Sequence, residues 1–437
     1  MSWSSWCLPF TCASLKREKQ TENAIRDKKW VVRKDKGESA DSKKSIGLAL
    51  HDKIVQNDAK GAEELIAAGA DVNEGILFAT KVFAPDRRTV YKDIIAYPLH
   101  VACIYRRPKI VEMLLKNGAV PNLTDKLGRC PVQLVITYWP RLMVCLDQKA
   151  MSKEDIEYQS YLKRQHERCK DCLVYLCESG ANIDIQINSE KETLAHLAAK
   201  HNITWSIDVL SKYGANLNAR DSSGCTPALT AARYGSFEFL FLMIDLGLDV
   251  TVKDNFGCTI LSHACENDRS PHAKHVNKLL KLEGLKGMVN TQDANGNSPL
   301  HVAAGGGREA AIHALIEHGA HPDLVNISGC SILFNILDSY QNARCHCGLQ
   351  KILAETLQVK IMDNSFREPL LLGLPEFTNL REALLKASKI PASLQMACRN
   401  TIRQALGYQR LNADSLFQLP CAPKLSRYVL LNTLKYC

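Results

Sequence analysis

The sequence of 437 residues lacks several features that would place it in a common class of protein. None of its apolar runs approaches the roughly 20 residues that a membrane-spanning helix needs. No basic residue precedes the weakly apolar stretch near residue 1, which disfavours a secretory signal. A Gly-x-Ser-x-Gly element is missing, and the glycine run at 305–307 lacks the Lys-Ser/Thr of a phosphate-binding loop. The sequence therefore predicts neither a membrane protein nor a nucleotide-binding enzyme.

The cysteines do not resemble a secreted disulfide framework. There are 17 of them, an odd number, spread over the whole chain, whereas secreted frameworks are usually even in number and dense. We therefore expect mostly free thiols in a reducing compartment, the cytoplasm and also the nucleus. The net charge of +9 is mild for this length, and about half of the excess lies in the first 47 residues. No nucleic-acid partner is expected, because no focused basic patch is visible beyond that tail.

One short pattern recurs along the chain at a fixed spacing. Its clearest copy is SPLHVAA (298–304), and related copies start at 97, 130, 193, 226, 259 and 331. Four of the six steps between neighbouring copies are 33 residues, and the other two exceed 33 by 30 and by 6. A Gly-Ala marker follows at a constant offset, and AGADVN (68–73) points to an eighth unit at the start. Such a period predicts stacked repeats.

The residues of each unit fit a pair of short helices. Thr226 and Ser298 are suited to cap the first helix, because their side-chain oxygens accept hydrogen bonds from backbone N–H groups. The proline that follows each of them is tolerated in a first helical turn. Gly118, Gly214 and Gly319 come where the second helix should end in a left-handed residue. Asp-x-x-Gly motifs between the units predict tight turns.

The period and the Thr-Pro-Leu-His start resemble the ankyrin repeat. This resemblance implies an all-α fold, a solenoid of about eight helix-turn-helix units with short β-hairpin loops over 46–362. A basic tail at 1–45 precedes the array. The resemblance also implies a non-catalytic protein that needs no cofactor and holds a protein substrate on its repeat surface. The sequence does not identify that substrate.

Three insertions interrupt the array, near 75–93, 141–169 and 267–274. Insertions in solenoids usually map to one face, often the binding face. They are equally consistent with surface excursions, because long loops add little entropic cost. The insertion at 141–169 is charged and helix-like, and we expect it to split the second helix of the third unit and to form an arm.

Two stretches, 166–177 and 345–347, bring together cysteines and histidines that could bind a metal. Neither has a second ligand pair at zinc-finger spacing, and both fall near second-helix positions where thiols pack well. We therefore predict no metal site. A further set of cysteines recurs two residues before the repeat marker, and we attribute it to the repeat register: Cys225, Cys258 and Cys330.

Beyond the eighth unit the periodicity ends, and a linker with a helix (363–390) leads into a different pattern. The segment SLQMACRNTIRQALG (393–407) fits one amphipathic helix. Its Ser-Leu, Cys and Ile spacing resembles the elongin-binding half of a SOCS box, which implies a small helical SOCS-box-like domain over 391–437. By this resemblance, elongin B/C would be bound in a helix-in-groove mode by Ser393, Leu394, Cys398, Ile402 and Leu406.

The end of the chain resembles the cullin-binding half of the same box. The residues that would contact a cullin, cullin-5 by the family pattern, are Leu419, Pro420, Leu425 and Tyr428. One proline of that pattern is displaced, so that Ala422 stands before Pro423. Together with the repeats, the box resembles the ankyrin repeat and SOCS box family and implies a substrate-recognition subunit of a cullin–RING ubiquitin ligase. The alternative is a non-degradative scaffold whose C-terminal helices only cap the array.

Overall fold

The computed structural model describes residues 42–78, 82–83, 90–91, 94–138, 153–321, 324–329 and 332. These residues divide into two compact units. The first contains the described residues up to 198 together with 205–216, and the second contains 199–204 together with those from 217 onwards. In this part of the chain, no helix combines the length and the apolarity needed to cross a membrane.

The first unit is built from successive helix pairs. They are α1 (Ser42–Gln56) and α2 (Ala59–Ala67), α3 (Pro98–Ile104) and α4 (Pro108–Lys116), and α5 (Pro131–Thr137) and α6 (Lys153–Glu178). The last pair is α7 (Leu194–Lys200) and α8 (Ser206–Lys212), with the end of α7 assigned to the second unit. Fully buried aliphatic side chains fill the core of this unit, among them Leu50, Ile110, Leu114, Leu134 and Leu173.

The first insertion contains β-structure, whereas the sequence predicted β-hairpins only as short loops between the helical units. β1 (Ile76–Phe78) pairs antiparallel with β4 (Ile94–Ala96), and β2 (Val82–Phe83) pairs antiparallel with β3 (Val90–Tyr91). The nested order is that of a β-hairpin. The strands are rich in β-branched and aromatic side chains, which favour extended pairing over a helix.

The described part of the second insertion, from Lys153 onwards, is helical. This part continues without a break into the second helix of the third unit and makes α6 26 residues long. Whether the insertion splits this helix before Lys153 stays a prediction, because residues 139–152 lie outside the described residues. Residues 153–178 contain neither glycine nor proline, so nothing in the sequence interrupts the helix over this range.

The second unit continues the pattern of paired helices. They are α9 (Pro227–Tyr234), α10 (Phe237–Asp245), α11 (Ile260–Asn267), α12 (Lys274–Leu280), α13 (Glu283–Lys286), α14 (Pro299–Gly305) and α15 (Glu309–Glu317), with a 3-10 turn at Pro271–Ala273. The core of this unit is again fully buried and apolar, and its members include Leu229, Phe239, Leu261, Leu279 and Ile312.

The predicted helix caps are confirmed. Thr226 Oγ1 accepts a hydrogen bond from the backbone N–H of Leu229 at 3.3 Å. Ser298 makes a reciprocal capping box, because its Oγ accepts from His301 N while His301 Nδ1 accepts from Ser298 N at 3.2 Å. The glycines predicted to end second helices are left-handed, with φ of 86°, 79° and 89° at Gly118, Gly214 and Gly319.

Asparagine side chains join the end of one helix pair to the end of the next. Asn73 Nδ2 donates to the carbonyl oxygen of Gly118 at 3.0 Å, and Asn73 Oδ1 accepts from the N–H of Val120 at 2.9 Å. The same two bonds are made by Asn122 to Gly180 and Asn182 in the first unit, and by Asn290 to Gly319 and His321 in the second. We call these contacts the asparagine clamps.

The third insertion is folded around one carboxylate. Asp268 is buried, and its Oδ2 accepts from the backbone N–H groups of His275 and Val276, both at 2.9 Å. Its Oδ1 accepts from Ser270 N at 3.0 Å and lies 3.0 Å from His275 Nδ1. The residue that precedes α12 is Ala273, which has no side-chain acceptor, so Asp268 supplies the cap for that helix from a distance in sequence.

Candidate protein-binding surface

The residues predicted to bind elongin and a cullin lie outside the described residues. The former run from Ser393 to Leu406 and the latter from Leu419 to Tyr428, whereas the description ends at residue 332. Cys345, His346 and Cys347 lie outside it as well. Within the described residues, the repeats offer an extended surface, because the turns between successive helix pairs form an ordered series.

In four turns of the second unit, a left-handed glycine donates its N–H to the carbonyl oxygen of the first residue of the turn. We call these turns the loop row: 221–224, 254–257, 293–296 and 326–329. In the second of these turns, Asp254 Oδ1 accepts from the backbone N–H groups of Phe256 at 3.0 Å and Cys258 at 2.8 Å. Gly257 closes the turn with φ of 76°. Asp221 and Asp293 hold their own turns with the same two bonds, as expected of an aspartate that starts a tight turn.

Neighbouring turns of the loop row are bonded through their backbones. Asn255 N donates to Ser223 O at 2.9 Å, Ala294 N to Phe256 O at 2.7 Å, and Ile327 N to Asn295 O at 3.0 Å. The approach is close because the turns end in glycine. A Cβ on Gly224 or Gly296 would lie within 2.9 Å of a backbone nitrogen in the next turn.

Long polar side chains add a second link between the turns. Arg220 Nη1 donates to the carbonyl oxygen of the glycine in its own turn at 3.2 Å and to Lys253 O at 3.0 Å. Gln292 Nε2 makes the equivalent bonds to its own glycine at 2.6 Å and to Val325 O at 3.0 Å. The loop row is thus fixed by both backbone and side-chain bonds before any partner is present.

Apolar side chains stand out from this fixed framework. Ile327 is 76% exposed and Phe256 58% exposed, and Val325 beside the last turn is 52% exposed. Leu127, at the position of Phe256 in a turn of the first unit, is 61% exposed. Exposed aromatic and aliphatic groups on a rigid support suit protein recognition, because binding them loses little conformational entropy.

A buried polar cluster lies at the base of the loop row. Asp254 Oδ2 is 3.0 Å from His263 Nε2 and 3.9 Å from Cys225 Sγ. Burial raises the pKa of the Cys225 thiol to about 12, and the carboxylates of Asp221 and Asp254 add to the rise. Burial also opposes ionisation of Asp254, but the hydrogen bonds from His263 and Cys258 outweigh it, so the pKa of Asp254 is lowered.

Sequence reasoning did not find this cluster. It assigned Cys225 to the repeat register alone, and His263 is one residue later in its unit than the histidine of the Thr-Pro-Leu-His pattern. In the stretch at 166–177, which sequence reasoning weighed for metal binding, the cysteines pack into the core. Cys169 and Cys172 are buried, and burial raises the pKa of Cys169 to about 12.

Comparison with known proteins agrees with the repeat prediction. The profile of three ankyrin repeats matches residues 163–254 and 229–326, and that of a single ankyrin repeat matches residues 96–126. The prediction of ankyrin repeats is therefore confirmed. No SOCS box profile is among the matches.

Several curated proteins align with part of the chain. The mouse B-cell lymphoma 3 protein homolog is 26% identical over 219 residues, which is 48% of this chain and 46% of that protein. Human B-cell lymphoma 3 protein is 29% identical over 174 residues, 38% of each chain. The human transient receptor potential cation channel subfamily A member 1 is 25% identical over 238 residues, 50% of this chain and 21% of the channel. The chain thus spans less than half the length of these relatives.

Proposed function

Because the chain contains ankyrin repeats, which are protein-interaction modules, we propose that it is an adaptor that holds a protein partner on the loop row. The observation that carries this proposal is the pair of exposed side chains, Phe256 and Ile327, on turns that are bonded to one another. Exposed apolar side chains on a rigid support can be buried by a partner at little cost in conformational entropy. The described cysteines are free thiols, which fits a reducing compartment, the cytoplasm and nucleus.

The loop row is tested by removing its apolar groups. Affinity purification followed by mass spectrometry compares the wild type with a Phe256→Ser, Ile327→Ser double variant. The control is Leu246→Ser, which removes a side chain of similar exposure, 51%, at the end of α10. We expect a set of proteins that the wild type and the control recover and the double variant loses. Identical recovery by all three would contradict the proposal.

We further propose that the C-terminal segment recruits elongin B/C and a cullin, so that the adaptor presents its partner to a ubiquitin ligase. Support comes from the sequence pattern of Leu394, Cys398 and Ile402, which fall four residues apart and form one stripe on a helix. The contribution of the adaptor to ubiquitin transfer would be proximity, since the transfer chemistry lies in other subunits.

A pull-down with elongin B/C tests the recruitment. The full chain should recover the complex, and Cys398→Phe should lose it, because a large side chain would not fit the middle of the contact. Arg399→Ala, off the stripe, is the matched control and should retain binding. Circular dichroism of each variant checks that the repeats remain folded. Failure of the wild type to bind elongin B/C would refute this function.

A scaffold that does not lead to degradation is the second candidate. Two observations favour it. Ala422 occupies the position of a proline in the cullin-binding pattern, and the relatives named above are not ubiquitin ligase adaptors by name. This candidate predicts that the loop row still recovers its partner set while elongin B/C is absent from the same purification. Recovery of elongin B/C that depends on Cys398 would exclude it.

A further inference from the structure

The cluster at the base of the loop row brings three metal-ligand side chains together from three places in the chain. Cys225 directly precedes the cap of α9, Asp254 begins a turn, and His263 lies near the start of α11. Their ligand atoms all lie within 4.8 Å of one another, and all three residues are buried. In the part of the chain that the structure describes, it is the one group of three such residues at this spacing.

In the first unit, the turn that begins at Asp125 has an ordinary ion pair at the position of this cluster. Asp125 Oδ1 holds its turn by accepting from Leu127 N and Arg129 N, both at 2.9 Å. Its Oδ2 accepts from the Arg129 guanidinium, with Nε at 2.8 Å and Nη2 at 2.6 Å. At the same position of the later turn, Cys258 replaces the arginine. The matching oxygen of Asp254 instead faces a histidine nitrogen and a thiol.

Thiolate, imidazole and carboxylate are the ligands that Zn²⁺ takes in proteins. Bonds of about 2.0 to 2.3 Å in a tetrahedral site place ligand atoms roughly 3.5 Å apart. The Cys225 to Asp254 separation of 3.9 Å is near that value, and the Asp254 to His263 separation of 3.0 Å must widen by roughly half an ångström. Asp254 is already oriented, because its other oxygen is bonded to the turn.

We propose that Cys225 Sγ, Asp254 Oδ2 and His263 Nε2 bind a Zn²⁺ ion, with the fourth tetrahedral position open to water. On binding, the thiol of Cys225 loses its proton to solvent, and His263 exchanges the proton on Nε2 for one on Nδ1 through solvent, so that the sulfur and Nε2 each donate a lone pair to the metal. The carboxylates of Asp221 and Asp254 near the thiol supply negative charge that attracts the cation.

The test uses the full chain, dialysed against a chelator and then supplied with ZnCl₂ alone. Bound zinc is measured by plasma mass spectrometry, and thermal unfolding is recorded with and without the metal. Because other thiols can take up zinc, the quantity compared is the difference in bound zinc between the wild type and each variant. We expect Cys225→Ser and His263→Asn each to lose one equivalent of zinc and to lose the rise in unfolding temperature that the metal gives the wild type.

Two matched variants serve as controls. Cys258→Ser removes the thiol at the same place in the next turn. His275→Asn breaks another histidine–aspartate pair, in which His275 Nδ1 lies 3.0 Å from Asp268 Oδ1. Both should keep the zinc equivalent and the zinc-dependent stabilisation. Co²⁺ in place of zinc should give a thiolate charge-transfer band that Cys225→Ser and His263→Asn abolish and the two controls retain. Equal zinc content in wild type and Cys225→Ser, or equal loss in the controls, would overturn the proposal.

Discussion

Replacing Asp268 by alanine should destabilise the start of α12 far more than an ordinary surface substitution would. The carboxylate is buried and serves as the cap of a helix whose own preceding residue, Ala273, offers no acceptor. In Asp268→Ala the backbone N–H groups of His275 and Val276 lose their acceptor. Hydrogen bonds to a charged group contribute about 1.5 to 3 kcal/mol each, so we expect a loss of about 3 kcal/mol or more.

The loss of stability should be confined to the third insertion and the start of α12, because the backbone there is strained. His272 and Ala273 have φ of 56° and 47°, in the left-handed region that residues with a Cβ rarely adopt. Once the bonds to Asp268 are removed, fewer hydrogen bonds hold this strained turn in place, and those that remain include Lys274 N to Ser270 Oγ and Asn277 Nδ2 to His272 O. Hydrogen exchange of peptides that cover 268–280 should therefore accelerate by roughly two orders of magnitude, which is the rate equivalent of about 3 kcal/mol for local opening.

The matched control is Asp249→Ala. Asp249 accepts from Thr251 N at 2.8 Å and Thr251 Oγ1 at 2.6 Å, but it is exposed, so water can replace those bonds. Its effect should stay below about 0.5 kcal/mol. An acceleration of less than about fivefold in Asp268→Ala, or an equal effect in both variants, would refute the assignment of Asp268 as the cap.

The pH dependence of the same opening gives an independent check. Burial opposes ionisation of Asp268, but hydrogen bonds from Ser270, Val276 and His275 outweigh it, so its pKa is lowered from the ordinary value of 3.8. A carboxyl whose pKa is depressed by folding stabilises the fold fully above its ordinary pKa. That contribution is lost as the pH falls through the folded-state value. The difference between wild type and Asp268→Ala should therefore shrink only below about pH 4.

Two further predictions concern the helix ends of the second unit. Gly235→Ala should lower the free energy of urea unfolding by about 1 kcal/mol, because Gly235 ends α9 with φ of 71°. The control is Gly305→Ala, at the end of α14 with open space around it, which should be neutral or slightly stabilising. Equal effects of the two substitutions would contradict this reasoning. Thr226→Ala should cost about 1 kcal/mol by the same measurement, because it removes the cap of α9, whereas Thr226→Ser should retain most of the stability.

The sequence was sufficient for features that repeat. A cap such as Ser298 and a left-handed glycine such as Gly118 are visible because they recur at the same place in unit after unit, each with a local physical reason. The strands near 75–93 were not predicted, because they occur once and no second copy sets their register. The length of α6 was not predicted, because a step of 63 residues shows where an insertion falls but not whether it continues a helix.

Much of the candidate site was beyond sequence reasoning for a different reason. Cys225 and Asp254 are 29 residues apart, and they meet only because one turn packs against the next. The exposure of Phe256 is equally a property of packing, since an aromatic residue in a turn motif is as compatible with burial as with exposure. Local patterns determine the conformation of each turn, whereas the neighbour of each turn determines which side chains point outwards.

The asparagine clamps affect which sequence changes the repeats can accept. Each clamp binds a carbonyl oxygen and an N–H group of the next helix pair, and both of these groups belong to the peptide backbone. The residue that supplies the N–H can therefore change freely in size, charge or polarity without weakening the contact, proline excepted. Val120, Asn182 and His321 occupy this place in the three clamps. Because the repeats are joined through backbone groups, the side chains at these positions can change to suit a binding partner without loss of the contact between repeats.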